Sequence, residues 1–299
     1  MTANVDFRTL TPWRYLTGGL SVLLLLLALS QLAGKGLNWG MDFTGGVVTE
    51  VTMSASQDAP ELAERLSEGL GQSVNLVQAG EPGRYLVRHG ELPDTGPTVV
   101  QLLSQIDPNL QVLNSSVVGA QVGAEMADAG GLAIFIALIC ILIYLWYRFE
   151  WRLASGALLA LLYDVLLVLG LFAATGLEFN LTVLAAVLAV VGYSLNDSIV
   201  IADRIRELLM AKPRWALNRV NDAAIAQTFA RTLVTSGTTL TTVGALWYFG
   251  GNALEGFAIA LFAGILSGTW SSIAIGTLVP ELLKLTPAHC MSAPVSDTP

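Results

Sequence analysis

The sequence predicts an α-helical membrane protein: six spans forming a bundle, with one small α+β domain held outside the cytoplasm. Three observations carry that expectation. Apolar residues make up 54% of the 299 and charged residues only 13%, too little charge to coat a soluble chain of this length. The apolar residues fall in long blocks, and six of these approach or reach the roughly 20 residues needed to cross the hydrocarbon layer. Between the first and second block lies an interval of ordinary polarity, residues 35–129.

The six blocks are 15–34, 130–147, 153–175, 180–202, 232–250 and 254–283. Arg8 and Arg14 precede the first, and Ala28-Leu29-Ser30 loosely imitates the cleavage site of a secretory signal. Its apolar run is longer than a signal core and five more blocks follow, so it reads as an uncleaved first span. Lys and Arg near span ends are retained on the cytoplasmic side. Arg148 and Arg152 lie between the second and third spans, and Arg204, Arg206, Lys212, Arg214 and Arg219 between the fourth and fifth. The short connections around Glu178 and Glu255 carry no basic residue. Both termini are therefore expected in the cytoplasm. The chain divides into a cytoplasmic N-terminus with the first span (1–34), an extracytoplasmic domain (35–129), spans two to six (130–285) and a cytoplasmic tail (286–299).

The extracytoplasmic interval alternates strand-like and helical patterns. Val47–Met53 is rich in β-branched residues, and Ala59–Leu70 places Leu62, Leu66 and Leu70 at helical spacing. Short strands are expected at Val74–Gln78 and Tyr85–Arg88, around a turn at Gly80, Pro82 and Gly83. A helix at Val99–Ile106 ends before Pro108, and a strand follows at Leu110–Val118. The order β-α-β-β-α-β is that of a ferredoxin-like split unit.

Between residues 35 and 128, four basic residues face twelve acidic ones, a balance equal to the net charge of the whole chain, −8. That sign argues against a nucleic-acid partner. His89, the domain's only histidine, reads as an exposed surface residue with no partners for a catalytic triad. Cys140 falls mid-span and Cys290 in the tail, so neither a disulfide nor a metal cluster is expected. No phosphate loop, nucleophile–base pair or metal-ligand spacing appears, so the chain is not read as an enzyme and needs no cofactor. Asp42-Phe43-Thr44-Gly45-Gly46 reads as a structural turn into the first strand. Gly45 and Gly46 permit backbone angles closed to other residues, and Asp42 or Thr44 can bond neighbouring amides.

The spans contain groups that lipid does not tolerate without a partner. Asp164 lies about 11 residues, roughly 16 Å at the helical rise, inside the third span. Asp197 precedes by about 6 residues the charged group Asp203, Arg204, Arg206 and Glu207 that ends the fourth. Arg231 opens the fifth span, and Thr235, Thr238 or Thr239, and Thr242 follow at helical spacing. Opposite charges favour one another's ionised forms, so Asp197 and Arg231 are either a pair that binds and releases protons or an interface anchor and a structurally bonded carboxylate. Asp164 divides in the same way between proton coupling and a structural hydrogen bond. In the sixth span Gly256, Ala260, Gly264, Gly268, Ser272 and Gly276 recur every four residues. Such a row lets two helix backbones approach closely.

These residues stand in familiar company. GLNWGMDFTGG after the first span, RFEWR between the second and third, and GYSLNDSIVIADRIREL in the fourth resemble the SecF family of protein-export membrane subunits. So do QTFARTLVTSGTT entering the fifth span and LSGTWSSI in the sixth. The resemblance runs along nearly the whole chain in order, with departures at Tyr163, Leu208 and Ala226. It implies an RND-type bundle, a role in export driven by the proton-motive force, and a place for Asp197 and Arg231 in the proton path, to which the hydroxyl row adds Thr235 as a candidate. It also implies a SecD partner, association with the SecY-SecE-SecG channel and with YajC, and an unfolded translocating protein as cargo in the lipid of the inner membrane. The alternative is half of an RND-type small-molecule exporter, but such exporters carry two six-span halves, and a domain under 100 residues leaves little room for a drug pocket.

Overall fold

A computed structural model describes residues 10–54, 59–72, 74–78, 83–90 and 97–290. Arg8, Gly80, Pro82 and the last nine residues of the expected tail lie outside them. Long helices dominate: α1 (Leu10–Gly34), α5 (Ala120–Arg148), α6 (Trp151–Thr175), α7 (Leu181–Ala211), α8 (Leu217–Phe249) and α9 (Asn252–Leu282), with a short α10 (Pro287–Cys290) at the end. Five of them, α1, α5, α6, α7 and α9, are long and apolar enough to cross a membrane. The expected count was six. The fifth expected span lies on α8, which has the length but carries Arg231 and a run of Ser and Thr that lower its hydropathy.

The helices outrun the apolar blocks. α5 starts at Ala120, inside the expected domain, and α7 continues through its charged end to Ala211. There Asp203 receives both carboxylate bonds from Arg148, at 2.6 and 2.7 Å, and Arg204 pairs with Glu207. α9 is the central helix. It packs against α6, α7, α8 and α1, burying Ala260, Ser271 and Ser272 completely.

Between α1 and α5 the chain forms two short pieces, β1 (Asn38–Trp39) and α2 (Met41–Thr44), and then a sheet with two helices. In order these are β2 (Gly46–Thr52), α3 (Ala59–Leu70), β3 (Asn75–Gln78), β4 (Arg84–His89), α4 (Val99–Ile106) and β5 (Gln111–Val118). The strand order is β3-β4-β2-β5 and each neighbouring pair is antiparallel. Each expected element appears within a residue or so of its predicted limits. α4 starts in a capping box in which Thr98 and Gln101 satisfy each other's backbone N–H groups. The core is local: Leu62, Leu66, Val87 and Leu103 are buried together with Tyr85 under the sheet.

His89 corrects the sequence reading. It is 5% exposed, and its Nδ1 lies 2.6 Å from the Gly90 carbonyl oxygen. It ends β4 opposite Val47, in phase with the buried Tyr85 and Val87, and a Cβ on Gly46, whose φ is 148°, would stand 2.6 Å from its carbonyl oxygen. Asp42 differs too: its Oδ2 accepts from Leu181 N at 2.9 Å, an amide far along the chain at the start of α7.

Several contacts fasten this domain to the bundle. β1 pairs in parallel with β6 (Glu178–Phe179), the connection between α6 and α7. Glu178 accepts from Arg88 at 3.2 Å and from Asn75 at 2.7 Å. Trp39, Phe43, Phe172 and Phe179 form an aromatic cluster with centroids 5.5–6.2 Å apart.

Asp107 closes the domain. It caps the end of α4, and its carboxylate accepts from Ser54 N at 2.5 Å, Asn109 N at 2.9 Å and the Ser54 hydroxyl at 3.2 Å. The Ser54 amide above all, then that of Asn109, holds its carboxyl below the usual carboxylate range. A depressed folded-state value gives stability that is present above the unfolded range, about pH 4, and lost as pH falls through the folded value. Asp107→Asn is therefore expected to lower amide-exchange protection of β2 and β4 at neutral pH, with the difference from wild type vanishing on acidification. A constant difference across that pH range would show that the carboxylate charge is not what stabilises the join.

Candidate functional site

The third-span acid, Asp164, lies where α6, α7 and α9 meet and is 0% exposed. Its Oδ2 accepts from the Ser194 hydroxyl of α7 and from Ser271 of α9 at 2.8 Å, and its Oδ1 from Ser267 of α9. Three hydroxyls on two helices thus replace the water that an ionised carboxylate would lose on burial. This convergence depends on how closely α9 approaches. A Cβ at Gly268 would stand 3.1 Å from Ser194 Cβ and 3.5 Å from Asp164 Oδ2. One at Gly264 would overlap Val190, and one at Gly256 would stand 3.0 Å from Val183. The first three glycines of the four-spaced row are thus contact points with α7. At Gly276 an added Cβ finds no close neighbour, although the Gly276 carbonyl itself abuts Gly156 of α6.

Asp197, one span along, is served very differently. It is 2% exposed; its carboxylate accepts a long bond, 3.3 Å, from the Ser236 hydroxyl of α8, and the side chain of its neighbour Asn196 also reaches it. Ser236 in turn accepts from Thr269 of α9 at 2.8 Å. Two further hydroxyls, Ser198 beside Asp197 on α7 and Thr232 one turn before Ser236 on α8, are buried with no partner among the described residues. Arg231 precedes Thr232 and is exposed on the side of α8. No ion pair joins it to Asp197, although its charge acts on that carboxylate through space. Thr235 donates back to the Arg231 and Thr232 carbonyls of its own helix, and Thr238, Thr239 and Thr242 do the same one turn on.

The sequence reading did not single out the serines at 194, 236, 267 and 271, nor Thr269. Their only local sign is that Ser267 and Ser271 repeat at helical spacing. Arg14, read as a topology marker, is likewise inside the bundle, at 2% exposure, bonded to Asp222 and Glu281. Among the described residues, no cluster of His, Cys, Asp or Glu has the makings of a metal site.

Residues 98–285 match the family model described as "Protein export membrane protein SecD/SecF, C-terminal", and residues 32–57 match the SecD/SecF GG motif, which contains Asp42, Gly45 and Gly46. The chain belongs to the SecD/SecF family. It is 38% identical over 295 residues to the protein translocase subunit SecF of Escherichia coli O157:H7, covering 95% of this chain and 90% of that one. It is 41% identical to the SecF subunit of Pseudomonas aeruginosa, with 93% and 92% covered. Among solved structures it resembles SecDF from Thermus thermophilus, described as a translocon-associated membrane protein, with a TM-score of 0.81 at 33% identity. A SecDF in a super-membrane-facing form gives 0.71 at 35%. The match covers 92% and 91% of this chain but only 38% of either SecDF chain, so this chain spans little more than a third of those longer proteins.

The α9 contact is open to a direct test. Gly264→Leu and Gly268→Leu are expected to destabilise the bundle by about 1–3 kcal/mol each, the usual effect of overpacking. The readout is thermal stability in detergent together with recovery of the assembled complex. Wild-type values for both variants would remove the close-approach account.

Proposed function

We propose that this chain serves as the SecF-type accessory subunit of the Sec protein translocase. In this reading it works with a SecD-type half to promote export across the bacterial inner membrane, using the proton-motive force. The family match along nearly the whole chain supports the role. The finer assignments rest on chemistry. α8 is the remaining span, the fifth of six in chain order, its hydroxyl-rich character suiting a helix that faces a wet path or a partner rather than lipid. The sheet between α1 and α5, with its split β-α-β order, is a ferredoxin-like domain on the periplasmic side, and both termini are cytoplasmic. The remaining partners are the SecY-SecE-SecG channel, YajC and the unfolded protein in transit.

One observation carries the proton assignment: Asp197 and Asp164 are equally buried but unequally satisfied. With its carboxylate bonded by three hydroxyls, Asp164 is a fixed structural anion or acid. Asp197 has one long hydroxyl bond, from Ser236, a contact from the Asn196 side chain next to it, and a cation within electrostatic reach. A group so placed changes protonation state with small movements of α7 against α8. Arg231 biases that exchange, and Thr235 holds the turn that presents it. The membrane voltage supplies about 2.3 kcal/mol per charge per 100 mV, enough to shift two domain positions that differ by a few kcal/mol.

Asp197→Asn keeps the shape of the side chain and removes the titrating group. Vesicles holding equal amounts of assembled complex are expected to lose gradient-stimulated export with Asp197→Asn and to lose part of it with Arg231→Lys, which keeps the charge but not the planar fork. Full stimulation with Asp197→Asn would transfer the carrier role to Asp164 or to the SecD half.

The orientation has its own test, made in a chain whose native thiols Cys140 and Cys290 are replaced. A cysteine at Glu64, exposed on α3, is expected to react with an impermeant thiol reagent from the periplasmic face. One at Ala216, before α8, is expected to stay unlabelled. Labelling of both from one side would invert the assignment.

A further inference from the structure

α5 is held to the rest of the chain at its two ends and stands off between them. Near the sheet domain, a Cβ at Gly123 would stand 2.7 Å from the Phe43 carbonyl oxygen and one at Gly130 would stand 2.6 Å from Leu184. At the other end Leu145 and Phe149 are buried against Leu153 and Leu209. From residue 131 to residue 144 nothing on α5 is buried. Beside the second anchor α5 and α6 part around a cleft of about 230 Å3. Its walls are Leu142, Leu145 and Trp146 of α5 and Trp151, Ser155 and Leu158 of α6. Along α6 this lining covers about 10 Å of helix axis.

The chemistry of the cleft divides by depth. Its interior is apolar, since the one hydroxyl in the lining, Ser155, donates back to the Arg152 carbonyl at 2.9 Å. Its mouth is rich in donors. Trp146 and Trp151 are 74% and 54% exposed, and neither indole N–H has an acceptor among the described residues. Arg152 lies over the Trp151 ring at 4.5 Å and gives Nε to the Leu283 carbonyl and Nη1 to Glu150, which leaves Nη2 uncommitted. Arg148 binds both oxygens of Asp203 through Nη2, which leaves its Nε and Nη1. The two acids at this corner are already engaged: Asp203 by Arg148, and Glu150 by the Arg152 amide at 2.8 Å and Nη1 at 2.6 Å.

We propose that the cleft between α5 and α6 binds one anionic phospholipid, with an acyl chain between the two helices and the phosphodiester at the mouth formed by Trp146, Arg148, Trp151 and Arg152. The size of the cleft decides against a partner helix, which measures about 10–12 Å across with its side chains; a single acyl chain is slender enough to enter. Indole rings settle at the headgroup level of a bilayer, so the two tryptophans put the mouth at that level and the apolar walls in the hydrocarbon. Guanidinium groups form charge-assisted hydrogen bonds with phosphate oxygens, and both arginines keep nitrogens free for them. The headgroup follows from the acids. An ammonium headgroup finds Glu150 and Asp203 occupied, whereas a headgroup without a cation keeps its full attraction to the two arginines, as acidic lipids do at basic pockets between spans. A lipid seated there fills the space beside the second anchor and ties the outer wall of α5 to α6.

The inference requires that α5 and α6 cross a membrane, and no step of it depends on the export reading. The orientation proposed above only names the leaflet, the cytoplasmic one.

The test is photolabelling of the full chain in its assembled complex, in detergent, with phosphatidylglycerol that carries a diazirine on one acyl chain. Peptide mass spectrometry is expected to find the label on residues 142–146 and 151–158. Ser155→Phe, which fills the cleft and leaves the buried face of α6 untouched, is expected to lose most of that label. Leu142→Trp fills the cleft from the other wall and decides the point should Ser155→Phe not assemble. Unlabelled phosphatidylglycerol is expected to compete about fivefold better than unlabelled phosphatidylcholine, the effect of about one basic residue near an anionic surface. Arg148→Gln is expected to erase that preference and keep the label. Undiminished label in an assembled, cleft-filled variant overturns the proposal. So does label found only elsewhere, in which case the partner half or another part of this chain covers the cleft. Equal competition by the two lipids in the wild type overturns the anionic assignment, and a preference that survives Arg148→Gln overturns the place given to the headgroup. Should Arg148→Gln not assemble, the wild-type competition decides.

Discussion

A carboxylate with no counter-ion, Asp164, is buried at the crossing of α6, α7 and α9, and the arrangement of those helices follows from keeping it satisfied. Its three hydroxyl donors come from α7 and α9, so both helices must approach α6 to hydrogen-bond distance. Lipid gives no hydrophobic push toward such closeness. It is reached because Gly264 and Gly268 remove the side chains that would stand between the backbones of α9 and α7. Neither feature persists without the other: a larger residue at 268 parts Ser194 from the acid, and an unserved acid gives α9 less reason to sit so close. The glycine row and the serines are two halves of one device.

From that fixed crossing the bundle reaches the sheet domain through few, specific joints. α7 begins under Asn180, which caps it, and under Asp42, whose carboxylate holds the Leu181 amide. About sixteen residues on, roughly 24 Å along the axis, the same helix carries Asp197. α1 enters the domain directly through β1, which pairs with the α6–α7 connection. The helix is itself seated by small contacts: Ser21 accepts from Trp270 at 2.8 Å, and Ala28 abuts Gly170. One continuous helix thus links Asp197 to the joint on which the domain rests. The GG segment is part of that joint. Gly45, at φ 73°, and Gly46 let the chain turn from α2 into β2 while Asp42 stays pinned to α7.

What the sequence revealed, and what it hid, follows the range of the interactions. β4 alternates buried and half-buried residues, and α3 buries Leu62 and Leu66 at helical spacing, so local periodicity sufficed to draw the domain. The glycine row was visible for the same reason, since its period is that of its own helix. Asp164 and Asp197 stood out because charge in an apolar run is conspicuous. Their partners did not: Ser194 and Ser267 are distant in sequence from Asp164, and nothing in their neighbourhoods marks them as converging on it. The burial of Arg14 was not foreseen because the rule that places arginines at the cytoplasmic face says nothing about whether they face lipid headgroups or the protein interior. α8 fell short of a span by composition because the hydroxyls that suit it to its place count against it on any hydropathy scale. His89 had been judged by its isolation in sequence, whereas its place in β4, in phase with the buried Tyr85 and Val87, turns it inward.

The contrast between the two acids gives the bundle its functional asymmetry. A buried carboxylate held by three donors has a single favoured environment, and changing it means breaking several hydrogen bonds at once. One held more loosely, by a long bond from Ser236 and by Asn196 beside it, has fewer bonds to break. The first suits a pivot and the second a switch. Both sit on helices that pack against α9, and in the proton-coupled reading proposed above Asp164 is the fixed point and Asp197 the group that rearranges. That division of labour requires two acids of equal burial and unequal satisfaction, and the distribution of serines over α7, α8 and α9 supplies it.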